Sequence, residues 1–99
     1  MLGYLATYFH QDYDLEAGSP IGVVKKFTDD ELVEYSRELL VELETLKAAG
    51  LTEGQARKLW RDDYNAMYEP DIDGGISYLE WFDQIRAEVK SRLDREQRA

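Results

Sequence analysis

The chain has 99 residues, 43% of them hydrophobic and 12% aromatic, with two prolines and no low-complexity tract, a composition that folds and a length that suits one domain. Twelve basic residues against 21 acidic ones give a net charge of -9, which argues against direct nucleic-acid binding and against anionic membrane surfaces and favours a cationic partner. Cysteine is absent, so a disulfide framework and thiolate chemistry are excluded, in keeping with a reducing compartment.

Met1 to Phe9 is apolar but too short to span a bilayer, and it lacks a basic flank or a small-residue cleavage site, so a cytoplasmic location is expected. Leu2, Leu5, Tyr8 and Phe9 share a helical face and predict a short first helix. His10 to Gly18 breaks that pattern with a polar loop containing Asp12, Tyr13, Asp14 and Glu16. Ser19 followed by Pro20 restarts a helix as N-cap and first helical residue, with Ile21, Val24 and Phe27 on its buried side.

The longest periodic run is Asp29 to Ala49. Thr28 and Glu31 have the spacing of a capping box, and Gly50 can adopt the left-handed conformation of a helix end. Leu32, Tyr35, Leu39, Leu43 and Leu46 recur at three and four and predict one buried stripe. Glu31, Glu34, Glu38 and Glu42 recur in the same way, and like charges at that spacing repel by about 0.2 to 0.5 kcal/mol per pair. Such a stripe is either a plain solvated face or an acidic docking surface for a basic partner.

Thr52 and Gln55 form a second capping box, opening a helix with Ala56, Leu59, Trp60, Tyr64 and Met67 near one face. Pro70 and Asp71 to Gly75 predict a turn, and Ser77 with Glu80 a third capping box. The last helix places Leu79, Phe82, Ile85, Val89 and Leu93 inward, while Lys90, Arg92, Arg95 and Arg98 complement its dipole. With no stretch alternating at period two, the expected fold is an all-α bundle of four to five helices forming one domain over residues 1–99, frayed from about residue 95.

Two stretches invite chemistry. His10 stands near Asp12 and Asp14, but without a nucleophile pattern or a second histidine it is read as a structural side chain. Glu69 to Glu80 has the spacing of an EF-hand loop, with Glu69, Asp71, Asp73, Ser77 and Glu80 at ligand positions and Gly74 at the turn. Glutamate at the first position and Pro70 directly after it favour a plain helix–turn–helix connection. A small EF-hand-like calcium-binding regulator is therefore the alternative reading, and an acidic nucleic-acid mimic a third. Trp60, Trp81 and Phe82 read as core, whereas Tyr13 and Tyr68, in connecting segments beside acidic residues, are candidates for an interface.

The run Tyr8, Phe9, His10, Gln11, Asp12, Tyr13, Asp14 resembles the opening of the small helical immunity proteins of bacterial contact-dependent growth inhibition systems. The resemblance continues in Tyr68 and Pro70 and in Glu80 and Trp81, while Tyr13 stands where a tryptophan would be expected. It implies a non-enzymatic inhibitor, needing neither cofactor nor metal, that binds the C-terminal toxin domain of a neighbouring cell's effector in a one-to-one complex. Such toxins are often nucleases, whose basic groove an acidic inhibitor can fill. Asp12, Tyr13, Asp14, Glu31, Glu34, Glu38 and Glu42 are the residues expected to touch the toxin.

Overall fold

A computed structural model of the chain describes residues 1–10, 13 and 17–98, with side chains described as far as Glu96. The expected all-α architecture is what it adopts, as six helical pieces among the described residues. These are α1 (Leu2–Thr7), α2 (Pro20–Asp30), α3 (Val33–Ala48), α4 (Glu53–Arg57 with its π-helical continuation Lys58–Asp63), the single turn α5 (Pro70–Asp73) and α6 (Tyr78–Arg98). The long α6 is the floor of the bundle, packed chiefly on α3 and α2.

Three of the helix starts follow from local chemistry. Ser19 accepts the Gly22 N–H at 3.0 Å and Pro20 is the first residue of α2. Thr52 and Gln55 close a reciprocal capping box at the start of α4. Ser77 and Glu80 do the same for α6, and the two N–H groups between them, Tyr78 and Leu79, donate to the Glu53 carboxylate of α4 at 2.8 and 3.0 Å. A side chain 25 residues away thus completes the cap and locks α4 to the start of α6. α3 ends as expected at Gly50, whose φ of +73° lets Gly50 and Leu51 donate back to the carbonyls of Lys47 and Leu46.

The third of the expected helices starts later than its spacing suggested. Thr28 is not an N-cap: it is buried inside α2, and its hydroxyl donates to the Lys25 carbonyl at 2.8 Å. The chain breaks instead at Glu31 and Leu32, both extended, and α3 begins at Val33. Leu32 therefore leaves the buried stripe and is 67% exposed, while Leu39 and Leu43 are buried and Tyr35 and Leu46 half-buried. Met67, expected inside, is exposed because the helix stops at Asp63 and Asn65 takes a left-handed φ of 58°. The π-helical stretch widens the repeat to five residues, matched by a Lys58–Asp63 ion pair at 2.9 Å and by the Tyr64 N–H donating to the Leu59 carbonyl at 2.9 Å. At the other end α6 continues as helix to Arg98, past the point where fraying was expected, with Leu93 buried and Arg92 paired to Glu96 within the same helix at 2.9 Å.

The core is aromatic at its centre. Phe9, Trp60, Tyr68 and Trp81 form one cluster with ring centroids 4.9 to 5.9 Å apart. Trp60 donates its indole N–H to the Tyr68 carbonyl at 2.9 Å. Tyr68 is thus a core residue and not the exposed interface tyrosine its loop position suggested. Around this cluster Leu2, Leu5, Val24, Phe27, Leu39, Ile85 and Val89 are fully buried; each removes enough apolar surface from water to contribute about 1.5 to 3 kcal/mol. Replacing Glu53 by alanine leaves two N–H groups at the start of α6 without their acceptor and is expected to cost about 1 to 2 kcal/mol. Urea denaturation should show a lower midpoint with an unchanged slope; an unchanged midpoint would show that this cap contributes nothing.

Candidate partner-binding surface

The break between α2 and α3 decides which acidic side chains face solvent. Glu31 sits at the corner, where its carboxylate accepts the Tyr4 hydroxyl at 2.9 and 3.0 Å and the Tyr8 hydroxyl at 3.3 Å. Tyr4 in turn packs its ring against Tyr35 and Phe27, with centroids at 5.7 and 6.0 Å. One carboxylate therefore ties α1 to the α2–α3 corner. Glu42, on the flank of α3, faces the start of α1, accepting the Met1 amino group at 2.7 Å and the Leu2 N–H at 3.1 Å. Two members of the four-glutamate stripe are used to hold α1 in place, a role that the helical spacing alone did not reveal.

Glu34 and Glu38 remain exposed, one turn apart on α3, and pair with no cation among the described residues. Many other carboxylates are engaged within the fold. Asp29 pairs with Arg92, Asp83 with Lys47 at 3.3 Å and with Arg86 at 3.7 Å, and Asp62 with Arg61 at 2.9 Å. Beside Glu34 and Glu38 lie Val41, 63% exposed, and Arg37; Met1, Arg37, Glu38, Val41 and Glu42 line one shallow depression. A more enclosed apolar notch of about 150 Å³ lies between α3 and α6, lined by Leu43, Leu46, Leu51, Leu79 and Phe82 and spanned by the Lys47–Asp83 pair. Leu79 is at its edge, 37% exposed, instead of in the core.

Of the other expected contact residues, Asp12 and Asp14 lie outside the described residues. Tyr13 is half-buried, its ring 5.4 Å from that of Phe9 and 6.1 Å from that of Tyr68, so much of it serves the core. His10 is exposed.

The Glu69 to Glu80 segment does not form a coordination loop. Pro70–Asp73 is a helical turn, the Asp73 carboxylate accepts the Glu69 N–H at 3.0 Å, and Asp71 accepts the Ile72 N–H at 2.9 Å. Glu80 is turned to the Ser77 N–H, and among the described residues no group of three or more histidine or acidic side chains is disposed to hold a metal. The carboxylates of Asp71, Asp73 and Glu80 thus accept from nearby backbone N–H groups.

Residues 2–89 match the sequence profile of the CdiI immunity protein family. The chain belongs to that family. Its members neutralise toxins of contact-dependent growth inhibition and act by binding, which is the function the resemblance in the sequence implied. No curated protein and no solved structure gives a significant match. Among the described residues no helix is long and apolar enough to cross a membrane.

Two phenols, Tyr8 at the corner and Tyr78 at the start of α6, carry a pH signature. Burial, then the Glu31 charge and hydrogen bond, push Tyr8 up to about 12, and burial pushes Tyr78 up to about 12 as well. Because both hold their protons more tightly folded than unfolded, their stabilisation is complete below the ordinary phenol value of 10.0 and is lost as pH rises through about 12. Denaturation midpoints should fall across that window. A Glu31→Gln variant should bring the Tyr8 ionisation, read by ultraviolet titration, part of the way back down; no change would mean that burial alone sets it.

Proposed function

We propose that this immunity protein neutralises a basic, nuclease-type toxin domain, forming a one-to-one complex in the cytoplasm of the cell that makes it. The observation that carries the reading is the exposed, unpaired pair Glu34 and Glu38 on a chain of net charge -9 that belongs to an immunity family. A nuclease groove lined with lysine and arginine for phosphates complements such a face, which would steer encounter as well as supply contact. The repulsion between the two glutamates in the free protein, a few tenths of a kcal/mol (~0.2 to 0.5), is offset once a basic side chain lies between them.

The proposed contact set is led by Glu34 and Glu38. Glu31 and Glu42 would contribute through their charge at the rim while holding α1, and Asp12, Tyr13 and Asp14 would form a second contact region. Inhibition follows from occupying the surface that the toxin's substrate needs. Among the alternatives, the calcium regulator loses its ligands to backbone capping, and a general nucleic-acid mimic would not explain membership of a toxin-specific family.

The test is a binding experiment between this protein and the toxin domain encoded by the gene immediately upstream. Reversing both Glu34 and Glu38 to lysine is expected to leave the helical circular dichroism unchanged and to slow association about tenfold at low ionic strength, with the difference shrinking as salt is added. Equal association rates for the variant and the parent protein at low salt would rule out this face as the steering surface.

A further inference from the structure

None of the residues of the notch between α3 and α6 belongs to the contact set proposed above. Its walls are Leu43 and Leu46 of α3, Leu51 just beyond that helix, and Leu79 and Phe82 of α6, and they leave about 150 Å³ between them. An enclosed cavity of that volume lined by such side chains stays dry and admits benzene. This one opens to solvent, with Leu79 at its edge and 37% exposed, so a ring can enter without the fold opening.

The rim is polar, and its charges do not cancel. Lys47 reaches Asp83 at 3.3 Å, and Arg86, almost one turn further along α6, stands 3.7 Å from the same carboxylate oxygen. Two cations thus share one carboxylate, which leaves one positive charge in surplus on a chain whose net charge is -9. The Nε of Arg86 is also buried without a hydrogen-bond acceptor, 3.7 Å being too long for one. A buried donor without an acceptor carries a cost that an incoming acceptor removes. The Lys47–Asp83 pair that spans the notch is exposed at both ends, and such pairs add little to stability, so Lys47 can turn to another anion at small cost.

We propose that the notch is a binding site for a small carboxylate with an apolar body of about benzene size, the body held among the leucines and Phe82 and the carboxylate by Arg86 and Lys47. The walls require the apolar body, and the single surplus charge of the rim matches a monoanion. A guanidinium is well suited to it, because its planar fork fits a carboxylate. Inorganic phosphate has nothing to bury in the notch. A basic toxin segment would bring cations against Lys47 and Arg86, a like-charge contact that sends it elsewhere on the surface. The site does not depend on the immunity reading, and a ligand there would stabilise the folded protein by mass action.

The experiment titrates the intact, isotopically labelled protein with phenylacetate and follows the backbone amide shifts, with 2-phenylethylamine, the same ring on a cation, as control. A ligand of about ten non-hydrogen atoms is expected to saturate with a Kd of roughly a millimolar. The shifts should centre on Leu46, Lys47, Leu79 and Asp83, and the amine should bind about tenfold more weakly. Arg86→Met keeps an apolar stem and removes both the charge and the unmade donor, so it should weaken phenylacetate about tenfold without lowering the thermal midpoint. Leu79→Trp, which fills the notch from its edge, should abolish the shifts. Equal binding of acid and amine would mean that only the ring is read, and the inference would be overturned. No saturable shift at ten times the expected Kd would overturn it too. If phenylacetate is silent while Leu79→Trp speeds dissociation of the toxin domain encoded upstream, the notch seats a toxin side chain and the inference falls with the immunity reading intact.

Discussion

The structure depends on the carboxylate of Glu31 and the two phenols it holds. By accepting the hydroxyls of both Tyr4 and Tyr8, Glu31 fixes α1 to the corner at which α2 stops and α3 begins. The corner lies among the rings of Tyr4, Tyr8, Phe27 and Tyr35, so the polar clamp and the apolar packing support one another. Without this break α2 and α3 would run on as one helix. With it, α3 folds back across α6 and turns Glu34, Glu38 and Val41 to solvent, and Glu42 is drawn aside to receive the start of α1. The candidate surface is thus a consequence of the clamp.

The second constraint is at the other end of the bundle. The Trp60 indole bonded to the Tyr68 carbonyl, and the Glu53 carboxylate bonded to the first amides of α6, tie the irregular stretch after α4 to the core. The π-helical turn and the Pro70–Asp73 turn depart from regular helix, and each is held by a specific partner: Lys58 on Asp63, and Asp73 on the Glu69 amide. Acidic side chains at this end are largely engaged within the fold, through Asp62, Asp63, Asp73 and Glu80.

Where a structural feature arises from neighbours in sequence, it was legible. The caps at Ser19, Thr52 and Ser77, the Gly50 helix end and the inward positions of Leu39, Leu43, Phe82, Ile85 and Val89 all follow from local spacing. Where a feature depends on a distant partner, the local pattern misled. Thr28 and Glu31 have the spacing of a capping box, yet Tyr4 and Tyr8 claim Glu31 from more than twenty residues away and Thr28 is buried in a continuing helix. The EF-hand spacing of Glu69 to Glu80 is real, but the same residue types that bind calcium also cap turns, and here they do the latter. Glu42 looked equivalent to Glu34 and Glu38 because periodicity reports which side of a helix a residue is on, not what lies opposite. The cluster from Tyr8 to Asp14 was the signal for the family, and the profile match over residues 2–89 agrees with it.

The central claim is that the toxin docks on the α1–α3 face exposed by the Glu31 corner. Backbone hydrogen exchange, measured on the protein alone and saturated with the toxin domain encoded beside it, tests this most directly. Added protection concentrated in residues 31–41 and the first turn of α1 is the expected result. Protection confined to the Pro70–Asp73 turn and α6, with residues 31–41 exchanging as in the free protein, would contradict the account.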